Sequence, residues 1–145
     1  MAILISVTRL RVRSNLYMPQ FLWHSFKSTR QAERAGGFLG GRVLTNPRKV
    51  FWTLTAWESE AAMNFYRTNA AHRTAMPKLL NWCDEAAVVH WTQETPDLPT
   101  WQDAYQRMVT SGRSSKVNHP SPAQTANQFP APVPSRIESI LKPRK

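Results

Sequence analysis

A chain of 145 residues, 41% hydrophobic, is long enough for one packed domain and too short for two of ordinary size. No run approaches the roughly 18 apolar residues of a membrane span. The apolar stretch at 3–5 is too short for a signal-peptide core, and Arg9, Arg11 and Arg13 stand where a cleavage site would fall, which predicts the cytoplasm. The net charge of +10 is unevenly spread: residues 112–145 hold six Lys+Arg against one acid, residues 1–111 hold 13 against eight. The basic end suits a solvated tail, or weak contact of that tail with nucleic acid or an anionic surface. Cys83 is the single cysteine, so neither an intrachain disulfide nor a cysteine-based zinc cluster can form.

The first 95 residues read as two similar halves. "AILISVTRLRV" alternates and is rich in β-branched residues, which predicts a strand over 2–12. Asn15 precedes a helix over 17–35, with Pro19 in its first turn and Leu22, Phe26, Ala32 and Ala35 as the apolar positions. Gly36-Gly37 ends it, because a helix end favours left-handed backbone that glycine adopts freely. "FLGGRVLTN" and "VFWTLTAW" are the second and third strands, joined antiparallel through the tight turn 46–49.

Glu58 and Glu60 then open a second helix where acidic side chains suit the helix dipole, with Met63, Tyr66 and Ala70 following at spacings of three and four. Thr68-Asn69 weakens the pattern. Pro77 lacks an N–H and is expected to interrupt it, or to open a further helical piece, "PKLLNWCDEA". "AAVVHWTQ" is the fourth strand and "TWQDAYQRMV" a short C-terminal helix capped by Thr100. "SGRSSKVNHPSPAQTANQFPAPVPS" has no period and few large apolar residues, so 112–145 is expected to be a disordered Pro/Ser-rich tail behind a domain at 1–111.

The order βαββαβ defines an α+β, ferredoxin-like fold: a four-stranded antiparallel sheet with two helices on one face. Alternation puts Phe51, Thr53, Thr55 and Trp57 on one face of the third strand and Val50, Trp52, Leu54 and Ala56 on the other. Both faces carry large apolar groups, and the helices cover one. A second copy of the sheet would cover the other, which predicts a homodimer; the C-terminal helix folded beneath the sheet is the alternative.

The element order, the strand ending in "TAWES", the helix "EAAMNFYRTNAAHRTAM" and the strand "VVHW" together resemble the antibiotic biosynthesis monooxygenase-like group of the dimeric α/β-barrel superfamily, nearest to its domain-of-unknown-function branches, over about residues 3–95. The resemblance implies a dimeric α/β barrel and admits several activities. Among them are oxidoreductases of the cofactor-independent oxygenase type acting on aromatic substrates, and haem-degrading monooxygenases. By comparison with the haem branch, His72 would match the proximal ligand and Tyr66 an aromatic beside the haem. That branch also uses an asparagine on its first strand, where this chain has Val7-Thr8-Arg9, so the match extends to haem binding through His72 and not to haem degradation.

His72 is the candidate catalytic residue: a neutral imidazole can accept a proton near pH 7, or ligate a metal, or bond the helix end before Pro77. Trp23, Trp57, Tyr66 and Arg73 are the candidate substrate contacts, the aromatics for a small apolar or aromatic ligand and Arg73 for a carboxylate or enolate. Each has a plain alternative, packing for the aromatics and solvation for Arg73. His24 reads as half-exposed surface, His90 as sheet-face packing, and His119 has no role. No histidine spacing suits a metal site. Cys83 sits beside Asp84 and Glu85, which disfavour a thiolate. "GGFLGG" lacks phosphate-loop spacing, and no ribonucleoprotein motif accompanies the aromatics of "RKVFWTLTAW". Two classes therefore lead, an oxygenase-type enzyme with no cofactor and a noncatalytic ligand- or haem-binding or interaction protein, with nucleic-acid binding, mostly through the tail, behind them.

Overall fold

The computed structural model describes residues 2–133 and 137–144, with backbone alone at 70–75. The elements are β1 (Ile3–Val12), α1 (Met18–Arg34), β2 (Phe38–Asn46), β3 (Val50–Trp57), α2 (Glu60–Arg67), α3 (Ala70–Trp82) and β4 (Cys83–Gln93), then α4 (Trp101–Ser111), β5 (Arg113–Ser114), α5 (Pro122–Ala126) and β6 (Glu138–Leu141). Among the described residues they build one six-stranded antiparallel sheet in the order β5-β4-β1-β3-β2-β6. The α+β, ferredoxin-like core is thus as expected, extended by an extra strand at each edge.

Local chemistry accounts for the boundaries. Gly37, at φ 85°, makes the turn out of α1, and a Cβ there would lie 2.6 Å from that of Ala62. The 46–50 turn places Arg48 and Lys49 at φ 66° and 65°, and Val12 N–H donates to the Lys49 carbonyl at 3.0 Å. The second helix departs from expectation. Its break falls at Thr68-Asn69, not at Pro77. Thr68 Oγ1 and Asn69 Nδ2 donate to the carbonyls of Asn64 and Phe65, which closes α2, and Asn69 turns extended before α3 begins. Pro77 lies inside α3 and is exposed. Residues 83–86, expected in a helix, start β4, because they pair with Val12, Arg11 and Leu10 of β1.

On the far face of the sheet Ile5, Val7, Trp52, Leu54 and Val89 are buried against Ala104 and Met108 of α4, with Tyr105 and Phe129 beside them. Among the described residues the chain covers this face itself with its C-terminal helix, the alternative to a second copy of the sheet. The second correction is the tail. Residues 112–133 and 137–144, expected to be disordered, form a strap with defined partners. Gln124 Oε1 accepts from Ala86 N–H at 2.9 Å, and its amide donates to the carbonyls of Ala86 and Ser115. Asn46 and the Val133 backbone bond each other twice, at 2.9 Å. β6 pairs with β2, and Glu33 holds Lys142 N–H and the Arg144 guanidinium at 3.0 and 3.2 Å.

One ion pair ties strap to sheet. Arg9 Nη1 meets Glu85 Oε1 at 2.6 Å with both side chains buried. The Arg9 guanidinium lies 4.6 Å from the Phe129 ring centre, and Ser121 Oγ donates to Glu85 Oε2 at 2.8 Å. Burial pushes the Glu85 carboxyl up, but hydrogen bonds from Arg9 and Ser121 and the charges of Arg9 and Arg11 outweigh it and hold it below 4.5. Removing one member strands the other without water, a loss of roughly 3–5 kcal/mol. Arg9→Met is expected to fall at the lower end, because Arg11 and Ser121 still hold Glu85. The double variant Arg9→Met/Glu85→Gln should lose less than Arg9→Met alone. Urea unfolding of the three proteins measures the difference.

Candidate functional site

A chamber of about 260 Å³ lies between the helical face of the sheet and α1–α3. Register fixes its floor. Ser6 stands between Thr55 and His90, and Thr8 between Thr53 and Val88, so two rows of mainly polar side chains cross three strands. Trp57 and Phe21 bound them with apolar surface, together with Met63 of α2 and Leu79 of α3. Tyr66 stands 5.1 Å from Trp57, ring centre to ring centre, and its hydroxyl donates to the Ser28 carbonyl at 3.0 Å. Trp57 Nε1 donates to Thr55 Oγ1 at 2.9 Å.

The roof is set by the rotation of α1, which differs from the sequence expectation. Leu22, Trp23 and Phe26 are 48%, 59% and 53% exposed, while His24, Ser25, Ser28 and Thr29 line the chamber. Phe21 and Ala32 anchor the buried side instead. Polar residues turned inward on a surface helix, with apolar ones outward, reverse the usual arrangement.

Charge at the chamber is one-sided. Its described lining includes His24, His90, Arg67 and Lys116 and no carboxylate. Burial lowers the pKa of His90 below 6.5, helped by Arg67 and Arg113 and opposed by Glu60. Burial also lowers His24, helped by Lys78 and Lys27, and its Nδ1 is buried without a hydrogen-bond partner. Both imidazoles are therefore neutral at pH 7 and able to accept a proton. Burial pushes the Tyr66 phenol above its ordinary 10, and burial with the Asp84 charge pushes the Cys83 thiol up to about 12, so neither ionises near neutrality.

Of the residues singled out from sequence, Trp57 and Tyr66 meet in the chamber. Trp23 does not: it lies on the outer side of α1, its ring 6.1 Å from Phe26 with Lys27 Nζ 5.6 Å away. His72 and Arg73 lie on α3, and their side chains fall outside the described residues. His24 and His90, read from sequence as surface and packing, both reach the chamber. The period-two placement of His90 with Thr55 and Ser6 was the available signal. Among the described residues no cluster of His, Cys, Asp or Glu could hold a metal ion. A second hollow of about 320 Å³, on the far face beneath the strap, has no histidine, carboxylate or thiol in its described lining.

Known structures share this architecture. A conserved protein from Methanosarcina mazei Go1 superposes with TM-score 0.56 at 13% identity, covering 65% of this chain and 95% of that one. A structure named as an antibiotic biosynthesis monooxygenase gives 0.56 at 11%, covering 64% and 99%. A cofactor-independent oxygenase from Streptomyces nogalater gives 0.51 at 12%, covering 67% and 96%. No protein-family model matches the sequence, and no curated protein is a significant match to it. The likeness shows the fold: this chain has the ferredoxin-like fold of antibiotic biosynthesis monooxygenase-type structures. About two thirds of it covers nearly all of each neighbour, so the remaining third is additional to the shared fold. No helix among the described residues is long and apolar enough to cross a membrane. The haem expectation rests on His72, whose side chain lies outside the described residues.

The two histidines make stability depend on pH. Their folded pKa values lie below the unfolded 6.5, so the unfolded chain takes up protons first as the pH falls. Their contribution is complete above 6.5 and is lost as the pH drops through the folded values. Glu33 and Glu85 act in the same direction only below 4.5. The thermal midpoint is expected to decline from pH 7 to 5 in the native chain and to stay nearly level in a His24→Asn/His90→Gln variant, as read by scanning calorimetry.

Proposed function

We propose that the chamber binds a small, flat ligand with an aromatic ring, in a protein whose fold is monooxygenase-like. The observation that carries this reading is the reversed face of α1, which aims polar side chains at the polar rows of the sheet across a hollow bounded by Trp57, Phe21 and Tyr66. Hydroxyls set inside apolar walls suit a bound molecule that fills the space and takes their hydrogen bonds. A fold selected for packing alone would place Leu22 and Phe26 there.

The same arrangement supports a catalytic reading, cofactor-independent oxygenation. That chemistry needs a substrate that gives up a proton, an acceptor for it, and exclusion of water. His90 is the acceptor in this reading. An acidic ring hydroxyl or ring-activated methylene passes its proton to the imidazole and keeps the electron pair, and dioxygen is the oxidant. When a methylene becomes a carbonyl, one oxygen atom is retained and the other leaves as water.

The test is a thermal-shift series with 2-naphthol, 2-methylnaphthalene and anthrone. At least one is expected to raise the midpoint by several degrees at saturation, by mass action. Thr53→Trp, which fills the chamber, should abolish the shift while the protein remains folded. Anthrone-dependent oxygen uptake checks the catalytic reading, and His90→Gln should slow it by about 10²-fold or more. No shift with any probe in folded protein defeats the binding reading; binding without oxygen uptake leaves a noncatalytic ligand-binding protein.

A further inference from the structure

We propose that the chamber selects anionic ligands, an aromatic acid over a neutral ring, with the acid group seated at the end where His90, Ser6, Thr55 and Arg67 line it. The inference rests on the binding reading above and adds the charge of the ligand.

The argument starts from donors. A carboxylate or ring oxyanion only accepts hydrogen bonds, so its site needs donors and no competing anion. Ser6 stands between His90 and Thr55 in one cross-strand row. Thr55 Oγ1 already accepts from Trp57 Nε1, which leaves its hydroxyl proton for another acceptor. Ser6 and Thr55 are each 9% exposed, so the row is shielded from bulk water and a hydrogen bond made there is not traded away to solvent.

The surrounding charge has the matching sign. Arg67 at the end of α2 lines the chamber. The charges that act on His90 are Arg67 and Arg113 against Glu60, from α2 and β5, while its row neighbours on β1 and β3 are uncharged. At the other end, Lys116 from the strap lines the chamber, and Lys27 and Lys78 act on His24. Positive side chains, Arg67 and Lys116, thus line the hollow. An anion entering it meets these charges, whereas a neutral ring gains only the apolar contacts.

The experiment compares 2-naphthoate with 2-naphthamide, close in shape and different in charge, by isothermal titration at low and high salt, with 2-methylnaphthalene as the ring-only control. Naphthoate is expected to bind about ten-fold or more tighter than naphthamide, the range of a charge-assisted hydrogen bond. High salt should narrow the difference. Arg67→Gln should bring the two affinities to within about three-fold, with methylnaphthalene binding measuring any general loss of the chamber. Lys116→Gln, at an exposed position, should narrow the difference more weakly and serves if Arg67→Gln does not fold. Equal or tighter binding of the amide overturns the anion preference and leaves the chamber as a ligand site. Absence of binding by all three probes to folded protein overturns both.

Discussion

The structure depends on a constraint set by the sheet: both of its faces carry large apolar side chains, and these must be covered. β1 and β3, at its centre, place Ile5, Val7, Trp52 and Leu54 on one side and Leu4, Phe51 and Trp57 on the other. At roughly 25 cal/mol per Å² of apolar surface removed from water, a buried tryptophan or leucine contributes about 1.5–3 kcal/mol or more. Leaving one face wet would forfeit several such contributions. The helices cover one face and the C-terminal third covers the other. The buried Arg9–Glu85 pair marks where that cover is fastened, since Ser121 and Phe129 of the strap bear on its two members. An ion pair in such a place gains little as a source of stability, because desolvation offsets its attraction. A cover that seats elsewhere leaves Glu85 without Ser121 and Arg9 without Phe129.

The two faces are closed in different ways, and the chamber follows from that difference. On the far side α4 and the strap press small and flexible apolar groups, Ala104 and Met108, into the sheet. On the helical side the sheet presents hydroxyls and His90 in its middle rows, and α1 answers with His24, Ser25 and Ser28. Polar surfaces of this kind do not draw helix and sheet into close packing, and a hollow remains between them. The strap also reaches the hollow. It turns around the β4 edge, where Ser115 N–H donates to the Ala86 carbonyl, and brings Lys116 to the chamber wall. One segment thus covers the far face and completes one side of the chamber.

The element order was legible in the sequence because it rests on local signals: alternation in β1 and β3, the Gly36-Gly37 stop, and the separation of Trp52 from Trp57 on opposite faces of one strand. The errors came where long-range partners overrode local pattern. Residues 83–86 look helical in isolation and become strand because β1 offers them a ladder. The strap looks disordered because composition counts apolar residues. What holds it is Gln124, Ser121 and Asn46 bonding backbone and carboxylate at fixed positions on the core. At the candidate site Trp57 and Tyr66 were legible as aromatics on inward-facing positions. Trp23 was misplaced because α1 turns the other way about its axis, and the same rotation hid His24.

The rotation of α1 links fold to function most directly. A helix of this composition has two ways to dock. With Leu22 and Phe26 inward, it would close the chamber and bury two large side chains that are now about half exposed. In the observed docking Phe21 and Ala32 carry the contact, and the polar face lies over Ser6, Thr8, Thr53 and Thr55. The sheet decides between the two, because hydroxyls and an imidazole facing leucine and phenylalanine would have no partners, at about 1–3 kcal/mol for each unsatisfied group. The polar rows of β1, β3 and β4 therefore set the helix orientation, and the helix orientation keeps the chamber open. An apolar replacement in those rows would remove the reason for the polar face of α1 to point inward. Within this fold the capacity to bind and the docking of α1 depend on the same few side chains.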